Sequence, residues 1–215
     1  MDMNVFRYLT YGMYVVGARE NERNVGCIIN TSVQITSEPA TIAISLNKNN
    51  YTFSAIEKSG EFSISILSEQ TDPQVIGKFG FSSSADTDKF SSFKHKVEYG
   101  LPVLLEDTCG ALICKVVSVT DMGTHCVIMA SVENTIAGEN TAPMTYSYYH
   151  TVIKGKAPKA APTYIAEGGE SNMSETKETV QYRCTICGYI LEGELTDDYI
   201  CPVCGAGADA FEKVQ

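Results

Sequence analysis

The chain has 215 residues, enough for one substantial domain and a small one. A formal charge of −10 excludes nucleic acid and anionic membranes as natural partners, leaving room for attraction to a basic protein surface. No apolar run approaches the roughly 18 residues of a membrane span, and the opening MDMNVFRYL lacks the basic-then-apolar profile of a secretory leader. Half of the eight cysteines fall in a metal-ligand pattern, so a reducing cytoplasm is the expected compartment.

Residues 1–156 read as one domain, mainly β with helices packed outside a barrel. Residues 4–10 predict a short helix. Residues 13–20 and 25–31 predict two strands around a polar turn at 21–24. In 41–46 and 61–67 the apolar residues alternate, Ile42, Ile44 and Leu46 in the first and Phe62, Ile64 and Ile66 against Ser63 and Ser65 in the second. That period of two marks a half-buried strand. Residues 51–59 predict a helix ending at Gly60, and 72–79 another opened by Asp72 as N-cap with Pro73 in its first turn. Residues 111–120 and 125–135 predict a hairpin closing on 121–124. The histidine-bearing stretch YSYYHTVIKG reads equally as a structural strand.

From Lys156 the composition shifts to KAPKAAP and then EGGESNMSETKET, a linker over 157–179. Its roughly 20 residues have a typical span of about 25 Å, long enough for a C-terminal module to reach a site on its own barrel or on a neighbouring subunit.

That module, 180–215, contains Cys184 and Cys187, then Cys201 and Cys204, two Cys-x-x-Cys pairs in CTICGY and CPVCGA. Two residues between cysteines let one tight turn aim both sulfurs at one ion, and two such turns close a tetrahedral four-thiolate site suited to iron or zinc. Gly188 and Gly205 follow the pairs, where positive φ is needed and backbone N–H groups turn toward sulfur. Cys27, Cys109, Cys114 and Cys126 lie among apolar neighbours and read as inert core thiols.

In the first domain no Ser-His-Asp or Cys-His arrangement, no GxGxxG and no GxxxxGK is present, so a Rossmann nicotinamide domain and a P-loop are not supported. What remains is polar residues where strands end: Asn30-Thr31-Ser32, and Ser45 to Thr52 at a strand-to-helix junction. A helix start with free N–H groups, hydroxyls and a lysine suits a phosphate; a pair of ordinary loops with a capped helix is the plainer reading.

Two resemblances sharpen this. The order Tyr-x-Cys-x-x-Cys-Gly-Tyr, Tyr-x-Cys-Pro-x-Cys-Gly and a late Phe over 180–214 resembles rubredoxin, with a shortened connector like that of modules fused to larger proteins. It implies one iron on Cys184, Cys187, Cys201 and Cys204, with structural zinc as the alternative. The succession FRYLTYGMYVVGAR, VGCIINTSVQITSEPATIAISLNKNNYT, EFSISILSE and MGTHCVIMASV over 3–156 resembles the flavin reductase family. That resemblance implies a split β-barrel homodimer with FMN at its interface. On it, Asn30, Thr31 and Ser32 meet the isoalloxazine edge, and Ser45, Asn47, Lys48, Asn49, Tyr51 and Thr52 hold the ribityl chain and phosphate. Phe79-Gly80, with Ser82 and Ser83, covers the flavin. The family's Gly-Asp-His is Gly123-Thr124-His125 here, and His125 and His150 read first as packing residues.

Together the halves imply an enzyme taking hydride from NADH or NADPH onto FMN and passing electrons singly to iron, then to a redox partner such as a diiron flavoprotein that reduces oxygen or nitric oxide. No side-chain acid or base is needed for hydride transfer. Two other readings stand: a reductase supplying free reduced flavin to a partner oxygenase, and a non-enzymatic FMN-binding protein with a zinc ribbon.

Overall fold

A computed structural model describes residues 2–155, 157, 161–163 and 180–214, so most of the expected linker lies outside the described residues. A 3-10 turn at Met3–Tyr8 stands where the short helix was expected. Seven strands then form one antiparallel sheet: β1 (Tyr14–Glu20), β2 (Arg23–Ile29), β3 (Ser32–Ser37), β4 (Ala40–Asn47), β5 (Glu61–Leu67), β8 (Thr108–Asp121) and β9 (His125–Ala137), in the order β2-β1-β5-β8-β9-β4-β3. The sheet curls until both its ends serve one core, where Val25 and Cys27 of β2 share a cluster with Ile42, Ile44 and Leu46 of β4. Register shifts between Ile113 and Cys114 and between Val116 and Ser118 fall in the long β8–β9 pair. Such bulges add the twist a curling sheet needs. Helix α1 (Tyr51–Ser59) closes the core with Phe53, Ala55 and Ile56. Asn50 caps it by accepting from Thr52 N at 3.0 Å, and Gly60 ends it in the left-handed region at φ 72°.

Three expectations need correction. The stretch after Asn30 is a strand, β3, not a loop; its outward side chains are polar or exposed, so it shows no burial alternation to read. Strand β5 is buried on both faces, not half-buried: a hairpin of β6 (His95–Glu98) and β7 (Leu101–Leu104) covers its serine side. There Ser63 Oγ donates to Pro102 O at 2.5 Å, and Leu104 N donates to Ser65 Oγ at 3.1 Å. Short hydroxyls let a second backbone approach and satisfy the polar groups it brings. Finally, the stretch around His150 is a helix, α3 (Tyr146–Thr151), capped by Thr145, whose Oγ1 accepts from Tyr148 N at 3.0 Å.

Helix α2 (Pro73–Phe81) begins as read, with Asp72 Oδ1 accepting from Gln74 N at 2.8 Å, and runs two residues further. It packs with Met13, Val15, Phe90, Leu104, Met144 and Tyr149 in a second core cluster. Lys89 is buried there, its ammonium donating to Gly26 O at 2.9 Å and Phe79 O at 3.1 Å. The C-terminal module is a three-stranded sheet of β10 (Gln181–Cys184), β11 (Ile190–Glu192) and β12 (Phe211–Lys213), in the order β11-β10-β12. It sits on α2: Phe81 and Ile153 of the barrel pack into the cluster of Cys184, Cys187, Cys201 and Val203. Lys154 of the barrel pairs with Glu192 of the module at 2.7 Å. Among the described residues no helix is long and apolar enough to cross a membrane.

Candidate metal centre and flavin cleft

The four module cysteines converge as their spacing requires, with all four Sγ atoms within 4.8 Å of one another. Cys184 and Cys204 stand 3.6 Å apart and Cys187 and Cys201 3.5 Å apart. Four thiolates placed tetrahedrally at about 2.3 Å from a metal are separated by about 3.8 Å, so this cage fits one tetrahedral ion. Gly188 and Gly205 have φ of 78° and 73° as expected. Their own N–H groups, however, go to Cys184 O and Cys201 O, each under 3 Å at 2.8 and 2.9 Å. The N–H groups turned to sulfur come from Val203 and Cys204 toward Cys201, Tyr189 toward Cys187 and Ala206 toward Cys204. The Cys187 thiol and the amides of Val203 and Cys204 lower the Cys201 thiol, and the shared proton pushes Cys187 up.

The remaining cysteines divide. Cys27, Cys114 and Cys126 are buried, and burial pushes the first two thiols up to about 11 and 12. Cys109 is only partly buried, with Thr141 O 3.5 Å from its sulfur, so the core placement fails for it: β8 begins at the sheet's rim.

In the barrel, a cleft opens between the ends of β2 and β4 and one face of α2. It is lined by Asn30, Ser45, Asn47 and Phe79 of the residues expected to hold flavin, with Gly80 and Ser82. Thr31, Ser32, Lys48, Asn49, Tyr51 and Thr52 lie off that wall. Thr31 Oγ1 donates to Asn30 Oδ1 at 3.0 Å, Lys48 pairs with Asp121 at 2.7 Å, and the Tyr51 hydroxyl donates to Glu20. Sequence reasoning missed Met13, Ile28 and Ile76, which read only as apolar core positions, and the aromatic floor of Tyr146 and Tyr149, because α3 was not read as a helix. His125 also lines the cleft: Nδ1 contacts Thr124 Oγ1 at 2.9 Å, whereas the buried Nε2 has no hydrogen-bond partner among the described residues. His150 has no such position; its Nδ1 meets Gly155 O at 2.6 Å, and burial lowers its pKa. Ala161 and Pro162 reach over the cleft, and Thr163 Oγ1 accepts from Asn30 Nδ2 at 2.8 Å and meets the Tyr146 hydroxyl at 2.7 Å. An apolar slot with a polar rim and one orphaned buried ring nitrogen fits a planar heteroaromatic group such as a flavin.

Comparison with known proteins agrees with both halves. Residues 6–155 match the flavin reductase like domain and 182–212 match the rubrerythrin, rubredoxin-like domain. The chain belongs to the flavin reductase-like family and carries a rubredoxin-like module, which makes it an oxidoreductase with a flavin cleft and a four-cysteine iron-type site. It is 37% identical, over 100% of both chains, to the high molecular weight rubredoxin of Moorella thermoacetica. It is 36% identical to the ferric-chelate reductase (NAD(P)H) of Archaeoglobus fulgidus, over 77% of this chain and 98% of that one. Among solved structures, the FMN-binding protein from Thermus thermophilus superposes with a TM-score of 0.57 at 22% identity, covering 63% of this chain and 75% of the other. The Streptomyces globisporus NADH:FAD oxidoreductase gives 0.60 at 17%, covering 66% and 83%, which supports the split-barrel fold.

Proposed function

We propose that this oxidoreductase moves electrons from NADH or NADPH through FMN to one iron, and from iron to a redox partner protein. The observation that carries this reading is the adjacency of the two sites: Phe81 both lines the flavin cleft and packs on the cysteine cluster. Bound flavin supplies a hydride acceptor, and iron in the four-thiolate cage supplies a one-electron store. The chain's own part is to bind, orient and shield. Asn30, Ser45 and Asn47 give the cleft its polar rim, with Asn30 already oriented by Thr163. Phe79 and Gly80 form the apolar wall that keeps water from the reacting face, and His125 Nε2 is the rim atom in need of a partner. No proton-transferring side chain is required.

Thr31, Ser32, Lys48, Asn49 and Tyr51 would form the outer part of the same site, toward a ribityl phosphate, with Thr52 buried beneath them. A homodimer fits the exposed apolar side chains of the barrel, Val33 and Ile35 on edge strand β3 and Val117 and Val119 on β8. The domain division is 1–156, 157–179 and 180–215, and the compartment is the cytoplasm. An acidic surface suits a basic redox partner, for which a diiron flavoprotein reducing oxygen or nitric oxide is the proposed example.

The test is anaerobic gel filtration of NADH-reduced protein with metal analysis. Flavin and one iron co-eluting with the protein fit the reading. Flavin lost on reduction, with zinc in the cage, would instead identify a component that supplies free reduced flavin.

A further inference from the structure

Helix α2 presents two faces to two sites. Ile76, Phe79 and Gly80, spaced i, i+3 and i+4, line the flavin cleft. Gln74, Gly77, Lys78 and Phe81, spaced i, i+3, i+4 and i+7, face the iron module across a second cavity bounded by Ile186 and Cys204. These spacings put each set on one side of a helix. Gly77 is buried, and the knuckle backbone rests against it. A Cβ built there would fall 2.6 Å from Val203 C and 2.8 Å from Cys204 Cα, and closer still to Val203 O. At Gly80, three residues on, a Cβ meets only Ile28 at 3.9 Å. One glycine of the helix is thus a notch and the other is not. The Lys154–Glu192 ion pair and the packing of Ile153 on the cysteine cluster extend the same contact. Beyond the notch, Phe81 touches both cavities.

We propose that α2 is a docking surface for the module of its own chain, with Gly77 the notch that admits the second cysteine knuckle. Phe81 is the positioning residue that forms the partition between flavin cleft and iron cage. The module is held in cis, against the barrel that its linker leaves. Docking rests on geometry alone; its use in electron transfer rests on the functional reading above. The transfer it serves takes one electron from flavin reduced by NADH and turns one ferric ion ferrous. Gap distance governs such a step, so a seated module and a displaced one differ in rate.

The experiment is zero-length carbodiimide crosslinking of the full metal-loaded chain, using an equal mixture of nitrogen-14 and nitrogen-15 protein brought to subunit-exchange equilibrium, with mixed dimers verified by native mass spectrometry. The Lys154–Glu192 pair is the reporter, read by mass spectrometry. Docking in cis predicts a Lys154–Glu192 crosslink whose two peptides carry the same isotope. It predicts at least a tenfold loss of that crosslink in Gly77→Leu and its retention in Gly80→Ala. Mixed-isotope crosslinks in the wild type, or an undiminished crosslink in Gly77→Leu, would overturn the proposal. Metal content and the retained barrel fold of Gly77→Leu show that the variant is folded, and the isotope result stands without it. In stopped flow, NADH-driven bleaching of iron should slow at least tenfold in Gly77→Leu relative to bleaching of its flavin. An unchanged ratio removes the coupling role. A wild type that crosslinks in cis yet holds zinc, or whose flavin NADH does not reduce, upholds docking and defeats the functional reading.

Discussion

Lys89 shows how much one buried residue reveals. Its ammonium lies between β2 and α2, bonded to two carbonyls, with burial lowering it from 10.5 to about 8 while the neighbouring Cys27 opposes that shift. Between pH 8 and 10.5 the unfolded chain binds the proton that the folded chain has released, so this residue favours folding increasingly as pH rises through that window. Below pH 8 both states are protonated and the charge costs about 3 kcal/mol. The stability difference between wild type and Lys89→Met, from urea titrations, should therefore be flat from pH 6 to 7.5 and climb in favour of wild type from 8 to 10. A difference flat across both ranges would contradict a buried, charged Lys89. Cys27 and Cys114 have the opposite sign: thiols raised by burial to about 11 and 12 draw stability down above pH 9 in both proteins. At the metal cage, Cys201→Ser removes one of the four sulfur ligands. It should abolish ferric-thiolate absorbance while NADH still reduces the flavin; loss of both would show that the sites do not act separately.

Among the elements, α2 carries the most consequence. Its N-cap is one hydrogen bond, from Gln74 N to Asp72 Oδ1 at 2.8 Å. Removing it in Asp72→Ala should cost about 1 kcal/mol in urea unfolding, and a cost near zero would mean water replaces the cap. Strand β5 permits a sharper comparison. Ser63→Val would leave Pro102 O buried without its donor, for a loss of about 1–3 kcal/mol, although valine favours strands. The helices α1 and α2 were legible because Asn50 and Gly60 bracket the first and Asp72 with Pro73 opens the second, whose unmarked C-terminal end was read two residues short. So were β1, β2, β4, β5 and the β8–β9 hairpin, through alternation and turns. Strand β3 and the β6–β7 hairpin were not, although each pairs with a strand next to it in the chain, since neither alternates in burial: β3 is exposed along nearly its whole length and β7 is buried along all of it. Helix α3 escaped because YSYYHT has low helix propensity and is held by the Thr145 cap and by packing of Tyr149.

At the scale of the molecule, the convergence of the four module cysteines was legible, because two short turns dictate its geometry. Of the flavin site, Asn30, Ser45, Asn47, Phe79, Gly80 and Ser82 were both read from the resemblance and found on the cleft wall. The aromatic floor and the strap at 161–163 come from chain segments brought together by folding, and no local pattern announces them. Least legible was the seat of the module on α2, since a glycine inside a helix gives no sign of what rests on it. Two redox sites that share Phe81 as a wall describe an electron conduit, and one spectrum tests that directly. Purified protein with FMN is recorded under anaerobic conditions before and after NADH. The account predicts ferric-thiolate bands over the flavin absorbance, with both bleaching when NADH is added. A yellow protein with zinc in its four-cysteine cage, or ferric bands that persist after the flavin has bleached, would contradict it.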